Sequence, residues 1–244
     1  MDRGLWISWY NLPDSGREPY LAWLHGAYIP RLLARPGVLW AAHYASEENV
    51  VLSGAKGRLG HAKSGAVPVG DRYIMLFGAN DAHVFVNPTP AEFHAELPQQ
   101  DKKMLAMRLA ERSMIAAEEA RALGPEAKRP EPDVAPGPCI QIGSFNAGAY
   151  EDEDELAAWY AQWRFPCMEA LPGCIRIRKL VSVSGWAKHA VIYEFVSAAA
   201  RNQKFIDHEK VNPEKEAWTD KVVRKLVHAP GSPNLASRIW PPVK

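Results

Sequence analysis

Hydrophobic and polar residues alternate along the chain with two periods, one typical of strands and one typical of helices, and the same order of segments occurs in each half. Each half opens with a run that has an apolar residue at every second position, at residues 5–11 and 139–146, and these runs predict β-strands. Apolar residues three and four positions apart follow and predict an amphipathic helix in each half. These helical positions are Tyr20, Trp23, Leu24 and Ala27 in the first half and Leu156, Trp159, Tyr160 and Trp163 in the second.

Two further strands and a second helical region follow in each half. The predicted strands are 38–44 and 73–77 in the first half and 174–183 and 190–196 in the second. The predicted helices are a long one at 99–123, then 198–209 and 214–227. The order strand, helix, strand, strand, helix is that of a ferredoxin-like α+β unit. Residues 234–240 supply a fourth strand for the second half, and the sequence does not locate the fourth strand of the first.

Several residues recur at one spacing, which predicts a tandem repeat. Each of four core and turn residues has an identical residue 136 positions later, and Ser8 and Ser144 obey the same spacing. The four are Trp23, Pro30, Pro36 and Gly37, matched by Trp159, Pro166, Pro172 and Gly173. A repeat near half the chain length predicts two copies of one domain. We therefore predict a first repeat at 1–124, a proline-rich linker at 125–137 and a second repeat at 138–244.

Prolines and capping residues predict where the helices begin and end. Ser15 and Glu18 fit a capping box before the first helix, and Thr89 marks another helix start. Pro30 and Pro166 are predicted to kink or end the first helix of each half, because each removes a backbone donor.

Composition and charge narrow the function classes. The formal net charge of +1 gives no reason to expect a nucleic-acid partner or an anionic membrane. We find no apolar run near the roughly 20 residues of a spanning helix, and we expect no secretory signal. The three cysteines are odd in number and form no C-x-x-C pair, which predicts reduced thiols and a cytoplasmic protein.

Some of the repeated residues match a known pattern. The arrangement W-x-x-x-x-H-x-P, then P-G, then A-x-R-[FY], is matched by Trp23, Pro30, Pro36–Gly37, Ala41 and Tyr44. It resembles the dimeric α+β barrel superfamily, in particular its EthD-like and stress-responsive types. The resemblance implies two antiparallel sheets packed face to face, here as an intramolecular α+β barrel. It also implies a cleft between sheet and helices for a small, often aromatic or polyketide-derived molecule.

Two positions depart from that pattern and are the predicted catalytic residues. Tyr28 stands where the pattern has histidine, and His43 where it has arginine; Arg164 and Lys179 occupy the corresponding second-half positions. Tyr28 is predicted to donate a hydrogen bond to a ligand oxygen, and His43 to act as a base. The first half is therefore the predicted active half.

Other aromatic and histidine residues of the first half are the predicted ligand contacts. They are Trp9, Tyr10, His25, Trp40 and His61. Trp9, Tyr10 and Trp40 would form an aromatic wall. His61 belongs to a glycine-rich loop at 45–72, predicted as a lid because the second half lacks it. Each residue also has a structural interpretation, as ordinary core or as surface.

The sequence therefore predicts a protein that binds a small aromatic or polyketide-like molecule in a cleft of the first repeat. Cofactor-independent oxygenase, isomerase or cyclase chemistry is one hypothesis. A non-catalytic ligand-binding or assembly module of the same fold is a second, and a haem protein is a third. H-E-x-x-H and H-x-H motifs do not occur, so no metal site and no cofactor are predicted. A homodimer, the substrate and the question of enzymatic activity stay open.

Overall fold

A closed antiparallel β-barrel forms the centre of the protein. The computed structural model describes residues 1–48, 58–63, 65–127 and 135–243. The strands in these ranges are β1 (Gly4–Asn11), β2 (Val38–Ser46), β3 (Gly60–His61), β4 (Tyr73–Ala79), β5 (Leu109–Leu123), β6 (Cys139–Asn146), β7 (Cys174–Ser184), β8 (His189–Phe195), β9 (Val227–His228) and β10 (Asn234–Trp240). Eight of them pair in the order β10-β2-β4-β1-β5-β7-β8-β6, and β6 pairs with β10 to close the cylinder.

Short helices cover the outside of the barrel in each half. In the first half they are α1 (Arg17–Trp23), α2 (Ile29–Leu33), α3 (Pro90–Ala95) and α4 (Gln99–Leu105). In the second half they are α5 (Glu153–Trp159), α6 (Phe165–Ala170), α7 (Ala198–Lys204) and α8 (Pro213–Lys225). Within the described ranges, every helix is too short or too polar to cross a membrane.

Alternation along the strands produces three apolar layers, one inside the barrel and one between the sheet and the helices of each half. Leu5, Ile7 and Trp9 of β1 point into the barrel, whereas Trp6 and Tyr10 face the helices of the first half, because successive strand residues point to opposite sides. A second helix–sheet layer covers the second half. The predicted antiparallel α+β class is confirmed.

The strands of the two halves have the same spatial order. It is β2-β4-β1-β5 in the first half and β7-β8-β6-β10 in the second, and the halves join through β5 with β7 and β10 with β2. The fourth strand predicted at 234–240 is confirmed as β10. The long helix predicted at 99–123 is wrong: α4 ends at Leu105, and β5 runs from Leu109 to Leu123. Its Ala, Glu and Arg residues favour a helix intrinsically, but pairing with both β1 and β7 overrides that preference.

The helical chain continues past both repeated prolines. Turns of π-helix at Leu24–Tyr28 and Tyr160–Arg164 lead directly into α2 and α6, which contain Pro30 and Pro166 near their starts. The disruption predicted at each proline is therefore a π-helical turn that precedes it, and not an end of the helix. A π-helical turn is a usual way of accommodating a missing helical hydrogen bond.

The helix start predicted at Thr89 is confirmed and takes the form of a capping box, whereas the capping box predicted at Ser15 does not form. Thr89 Oγ1 accepts a hydrogen bond from the backbone N–H of Glu92, and the Glu92 carboxylate accepts one from the N–H of Thr89. The predicted Ser15–Glu18 box is wrong, because Gly16, with a φ of 79°, precedes α1 and no side chain caps the helix.

The spacing of 136 residues does not extend back to the first strands. Gly37 and Gly173 both adopt a left-handed conformation, with φ of 86° and 85°. Upstream, Asn11 and Asn146 correspond instead, at a spacing one residue shorter. Each Asn Oδ1 accepts backbone N–H bonds from the loop just before the neighbouring strand of the sheet, β4 in the first half and β8 in the second. Ser8 and Ser144 therefore do not correspond: strand alternation turns Ser8 toward the helices and Ser144 into the barrel.

The two repeated tryptophans differ in burial. Trp159 is buried, and its Nε1 donates to Thr219 Oγ1 at 3.1 Å. Trp23 is half-buried, and its Nε1 donates to Asp101 Oδ1 at 2.8 Å. The predicted core position is therefore confirmed fully for Trp159 and only in part for Trp23, which packs against the core of the first half while staying partly exposed.

Candidate functional site

The residues predicted to form one site lie in three separate places. Four lie between the sheet and helices of the first half, two point into the barrel and one contacts the second half. In that order they are Tyr10, His25, Tyr28 and His43, then Trp9 and Trp40, then His61. The predicted wall of Trp9, Tyr10 and Trp40 is wrong, because Tyr10 faces the opposite side of the sheet. Ligand binding by any of these residues stays a prediction.

A hydrogen-bonded chain leads from His25 to two buried residues. Nε2 of half-buried His25 lies 2.9 Å from Nδ1 of His43, and Nε2 of His43 lies 2.9 Å from the Tyr10 hydroxyl oxygen. Burial, reinforced by His25 and Arg108, lowers the pKa of His43 well below its ordinary value. His43 is therefore neutral at pH 7, but both of its ring nitrogens are already engaged.

A buried arginine fills the helix–sheet layer of the first half. The Arg108 guanidinium lies 4.6 Å from the Tyr10 ring centroid and 5.4 Å from that of Tyr28. Its Nε donates to the Tyr20 hydroxyl at 2.7 Å. The Tyr28 hydroxyl lies 2.7 Å from His94 Nε2, and burial raises the pKa of Tyr28 far above its ordinary value. The space in which a ligand is predicted thus contains Arg108 and a neutral phenol.

Trp40 has a structural role at one end of the barrel. Its Nε1 donates to Asp2 Oδ2 at 2.9 Å, and the same carboxylate oxygen accepts a bond of 2.9 Å from Arg178 Nη1. The Arg178 guanidinium is fully buried and also pairs with Glu118. Trp40 is therefore part of a buried network of hydrogen bonds and ion pairs with Asp2, Arg178 and Glu118.

The loop after β2 crosses to the second half. Residues 49–57 and 64 of this loop lie outside the described residues. We name residues 58–63 the crossing segment. Within it, β3 pairs in parallel with β9, and His61 Nε2 lies 2.9 Å from the Ser232 carbonyl oxygen. Arg58 lies 3.5 Å from the Glu209 carboxylate. The prediction of a lid over the first-half cleft is therefore wrong for this segment.

A cavity of about 80 Å³ lies between the sheet and the helices of the second half. Aromatic and aliphatic side chains of the barrel and of the helices form most of its wall, and Arg58 and Leu59 of the crossing segment complete it. The lining residues that matter below are Trp159, Tyr160, Arg164, Tyr193, Phe205 and His228.

Arg164 supplies a buried positive charge to this cavity. It lies on the π-helical turn and is only 5% exposed. Its guanidinium lies 4.5 Å from the Trp159 ring centroid, and its Nη2 donates to Glu209 Oε1 at 2.9 Å. Its Nε has no hydrogen-bond partner among the described residues. Because buried donors are nearly always paired, we expect a water or a ligand oxygen at this position.

Two buried histidines lie in this region: His208 contacts Arg164, and His228 lines the cavity. Burial lowers the pKa of each to about 4, and for His208 the charge of Arg164 adds to the effect. Both ring nitrogens of His208 are engaged, Nε2 by Arg164 and Nδ1 by the Phe205 carbonyl oxygen. In contrast, Nδ1 of His228 donates to the Gly60 carbonyl oxygen at 3.2 Å, which leaves its Nε2 as an acceptor. His228 is therefore a neutral base that lines the cavity.

These second-half residues were missed by sequence reasoning, although one signal for them exists. Arg164 follows Leu156 and Tyr160 at intervals of four and is the charged residue on an otherwise apolar helical face. A charge at such a position indicates a buried, functional or ion-paired group. Tyr193 and His228 give no such signal. What they face depends on the pairing of β8 with β6 and β7, and of β9 with β3 and β6, which joins distant parts of the chain.

The cavity residues do not fit haem in this conformation. An axial histidine needs a free ring nitrogen, and both nitrogens of His208 are engaged. His228 keeps a free Nε2 at the cavity wall, but the space beside it is far too small for a haem. The volume of about 80 Å³ is also below the roughly 150 Å³ that accommodates benzene in an apolar cavity. Across the described ranges, His, Cys, Asp and Glu form no cluster of three suited to a metal ion.

Comparisons with known proteins establish the fold. No profile of a known protein family matches the sequence, and no curated protein matches it. An anthrone oxidase-like protein superposes with a TM-score of 0.64 at 11% identity, covering 98% of this chain and 92% of that one. A Fusobacterium nucleatum protein named "Putative monooxygenase" gives a TM-score of 0.57 at 9% identity, covering 98% and 93%. A mutant chlorite dismutase from Candidatus Nitrospira defluvii gives 0.53 at 9%, covering 98% and 91%. The chain therefore has the α+β barrel fold of these proteins.

Proposed function

We propose that the protein binds a small aromatic molecule with an acidic oxygen in the cavity of the second half. The observation that carries this proposal is buried Arg164, whose Nε lacks a partner among the described residues while its guanidinium stacks on Trp159. A charge-assisted hydrogen bond from Arg164 would fix the ligand oxygen. The rings of Tyr193 and Phe205 would contact a flat apolar ligand.

Ligand entry requires the cavity to enlarge. Its volume of about 80 Å³ is smaller than the roughly 150 Å³ that holds benzene. Arg58 and Leu59 close the cavity, and the crossing segment is paired with the second half by the two-residue strand β3. Arg58 and Leu59 precede this strand, so we propose that these two residues move when a ligand enters, while Gly60 in β3 keeps its hydrogen bond to His228.

We further propose cofactor-independent chemistry on the bound molecule, either oxygenation with molecular oxygen as the oxidant or isomerisation. The names of an anthrone oxidase-like protein and a monooxygenase among proteins with this fold support that class of chemistry. In the cavity, His228 Nε2 would accept a hydrogen bond from a ligand hydroxyl and so orient it beside Arg164. The base predicted in the first half, His43, has both nitrogens engaged, and Arg108 occupies the adjacent space. The geometry therefore favours the second half.

We also propose that the chain is a tandem pair of ferredoxin-like repeats of the EthD-like type, at 1–124 and 138–244. The common strand order of the two halves supports this origin. The π-helical turns at Leu24–Tyr28 and Tyr160–Arg164 support it too, since they keep the spacing of 136 residues. Residues 128–134 of the predicted linker lie outside the described residues.

Localisation and assembly are further proposals. All three cysteines are free, and two of them, Cys139 and Cys174, are buried, which supports a reducing compartment such as the cytoplasm. A small-molecule ligand is the proposed partner, without nucleic acid or membrane, and light scattering of the purified protein would decide whether it is a homodimer.

Calorimetric titration with benzoate, 1-naphthol and anthrone tests the proposed site. We expect Arg164→Met to weaken benzoate binding about tenfold to a hundredfold, equivalent to the roughly 1.5–3 kcal/mol of a hydrogen bond to a charged group. Tyr193→Leu and Tyr28→Leu form a matched pair, because each removes one buried aromatic ring, from the second and the first half respectively. Tyr193→Leu should weaken binding, since the ring that contacts the ligand is lost, and Tyr28→Leu should not. The reverse result would move the site to the first half, and no binding by any probe would overturn the proposal.

A further inference from the structure

A second, smaller cavity lies where the two halves meet at one end of the barrel. Its volume is about 20 Å³, and residues of both halves line it. Trp9 of β1 and Arg112 of β5 are directly opposite each other in the sheet and come from the first half. Ser144 of β6 and Ala229 come from the second half. A space of this size holds one water-sized or slightly larger species.

Two buried donors in the wall of this cavity have no acceptor. Trp9 is 1% exposed and Arg112 is 8% exposed. The Nε1–H of Trp9 and the Nε–H of Arg112 both lack a hydrogen-bond partner in the part of the chain that the structure describes. Leaving a buried donor unpaired costs about 1–3 kcal/mol. Two such donors in one cavity therefore indicate a bound acceptor.

The charge of Arg112 is also poorly compensated. Its Nη1 donates to Ser144 Oγ at 3.2 Å, and its Nη2 makes a long contact of 3.4 Å with the Pro230 carbonyl oxygen. Asp71 attracts it without a hydrogen bond or an ion pair, and burial lowers the pKa of Arg112 to about 10. The guanidinium stacks on Trp9, 4.0 Å from the ring centroid. Stacking offsets part of the desolvation but supplies no negative charge.

We propose that this cavity is a binding site for a small monovalent anion of halide size, held by Trp9 Nε1 and Arg112 Nε. The ligand class follows from the donors, which offer two N–H groups and a positive charge, and from the volume, which excludes a phosphate or an aromatic acid. Because β1 and β5 belong to the first half and β6 to the second, the anion stabilises the contact between the halves.

Thermal unfolding in sodium chloride and in sodium gluconate of equal ionic strength tests this site. Chloride fits the cavity and gluconate does not, so the wild type should melt at a higher temperature in chloride. Trp9→Phe removes one donor and keeps the ring, and it should abolish most of the difference. Trp6→Phe is the matched control, because Trp6 Nε1 is also buried and has no partner in the described ranges, but Trp6 faces the helices of the first half. Trp6→Phe should keep the chloride effect.

Two further measurements locate the anion. Arg112→Gln should raise the chloride dissociation constant at least tenfold, and Trp9→Phe gives the same test if this variant does not fold. Crystals soaked in bromide should show an anomalous peak between Trp9 and Arg112. Equal melting temperatures of the wild type in both salts would overturn the proposal. Equal loss in Trp6→Phe and Trp9→Phe, or a water without an anomalous peak, would also overturn it.

Discussion

Replacing Arg164 with Met should reveal how strongly the second half depends on its buried charge. Arg164 is the closest cation to Glu209, with 2.9 Å between Nη2 and Oε1, and both side chains are buried. Removing one partner of a buried ion pair costs roughly 3–5 kcal/mol, since the other charge stays buried without compensation. Arg58 remains 3.5 Å from the second Glu209 oxygen, so we expect a loss near the lower end, about 3 kcal/mol.

The second partner provides the control for this experiment. In Arg164→Met/Glu209→Gln no carboxylate is left uncompensated, so the double variant should be more stable than Arg164→Met alone by about 1–2 kcal/mol. Urea unfolding at pH 7 measures both losses. A loss below about 1 kcal/mol in Arg164→Met would refute the reasoning, as would a double variant that is less stable than the single one.

The same pair gives a pH dependence of known sign. Burial opposes ionisation of Glu209, but Arg164, His208 and Arg58 together hold its pKa below the ordinary value of 4.5. A depressed pKa stabilises the fold above the ordinary pKa, and this contribution is lost as the pH falls. Without Arg164 the pKa of Glu209 should rise. The stability deficit of Arg164→Met should therefore be largest at pH 7 and shrink below about pH 4.5.

Two further predictions concern burial and protonation. Trp159→Ala should destabilise the protein by about 3–5 kcal/mol and half-buried Trp23→Ala by clearly less, measured by urea unfolding; equal losses would contradict the difference in burial. Burial lowers the pKa of His208 to about 4 in the native state, so the unfolded chain binds a proton at this residue at a higher pH than the native protein does. The free energy of unfolding should therefore fall between pH 6.5 and pH 4, by up to about 1.4 kcal/mol per pH unit for this residue. His43 and His228 add to the fall in stability, because their pKa values are lowered too. His208→Asn should therefore reduce the slope without abolishing it, and an unchanged slope would show that His208 does not contribute.

Much of the fold could be predicted because local signals agree with the tertiary structure. The strands of the second half alternate clearly, and the turn glycines Gly37 and Gly173 adopt the conformation that favours glycine. β5 could not be predicted, because its Ala-, Glu- and Arg-rich sequence is typical of a helix. Its strand conformation depends on neighbours far away in the sequence, on β1 and β7.

The candidate site was harder to predict because it depends on which face of a strand each residue occupies. Trp9 and Tyr10 are adjacent, and Trp40 and His43 are three positions apart, so strand alternation places each pair on opposite sides. Strand alternation can be read from the sequence alone, and it already divides the predicted site. The contact of the crossing segment with the second half was not available, because the parallel pairing of β3 with β9 joins residues distant in the chain.

A crystal structure with 4-iodobenzoate tests the central claim most directly, because the anomalous signal of iodine locates the ligand. We expect the iodine in the second-half cavity, the carboxylate at Arg164 Nε, and Arg58 and Leu59 displaced to make room. Iodine beside Tyr28 and His43 in the first half would contradict the account. An empty cavity at concentrations that saturate binding in solution would contradict it equally.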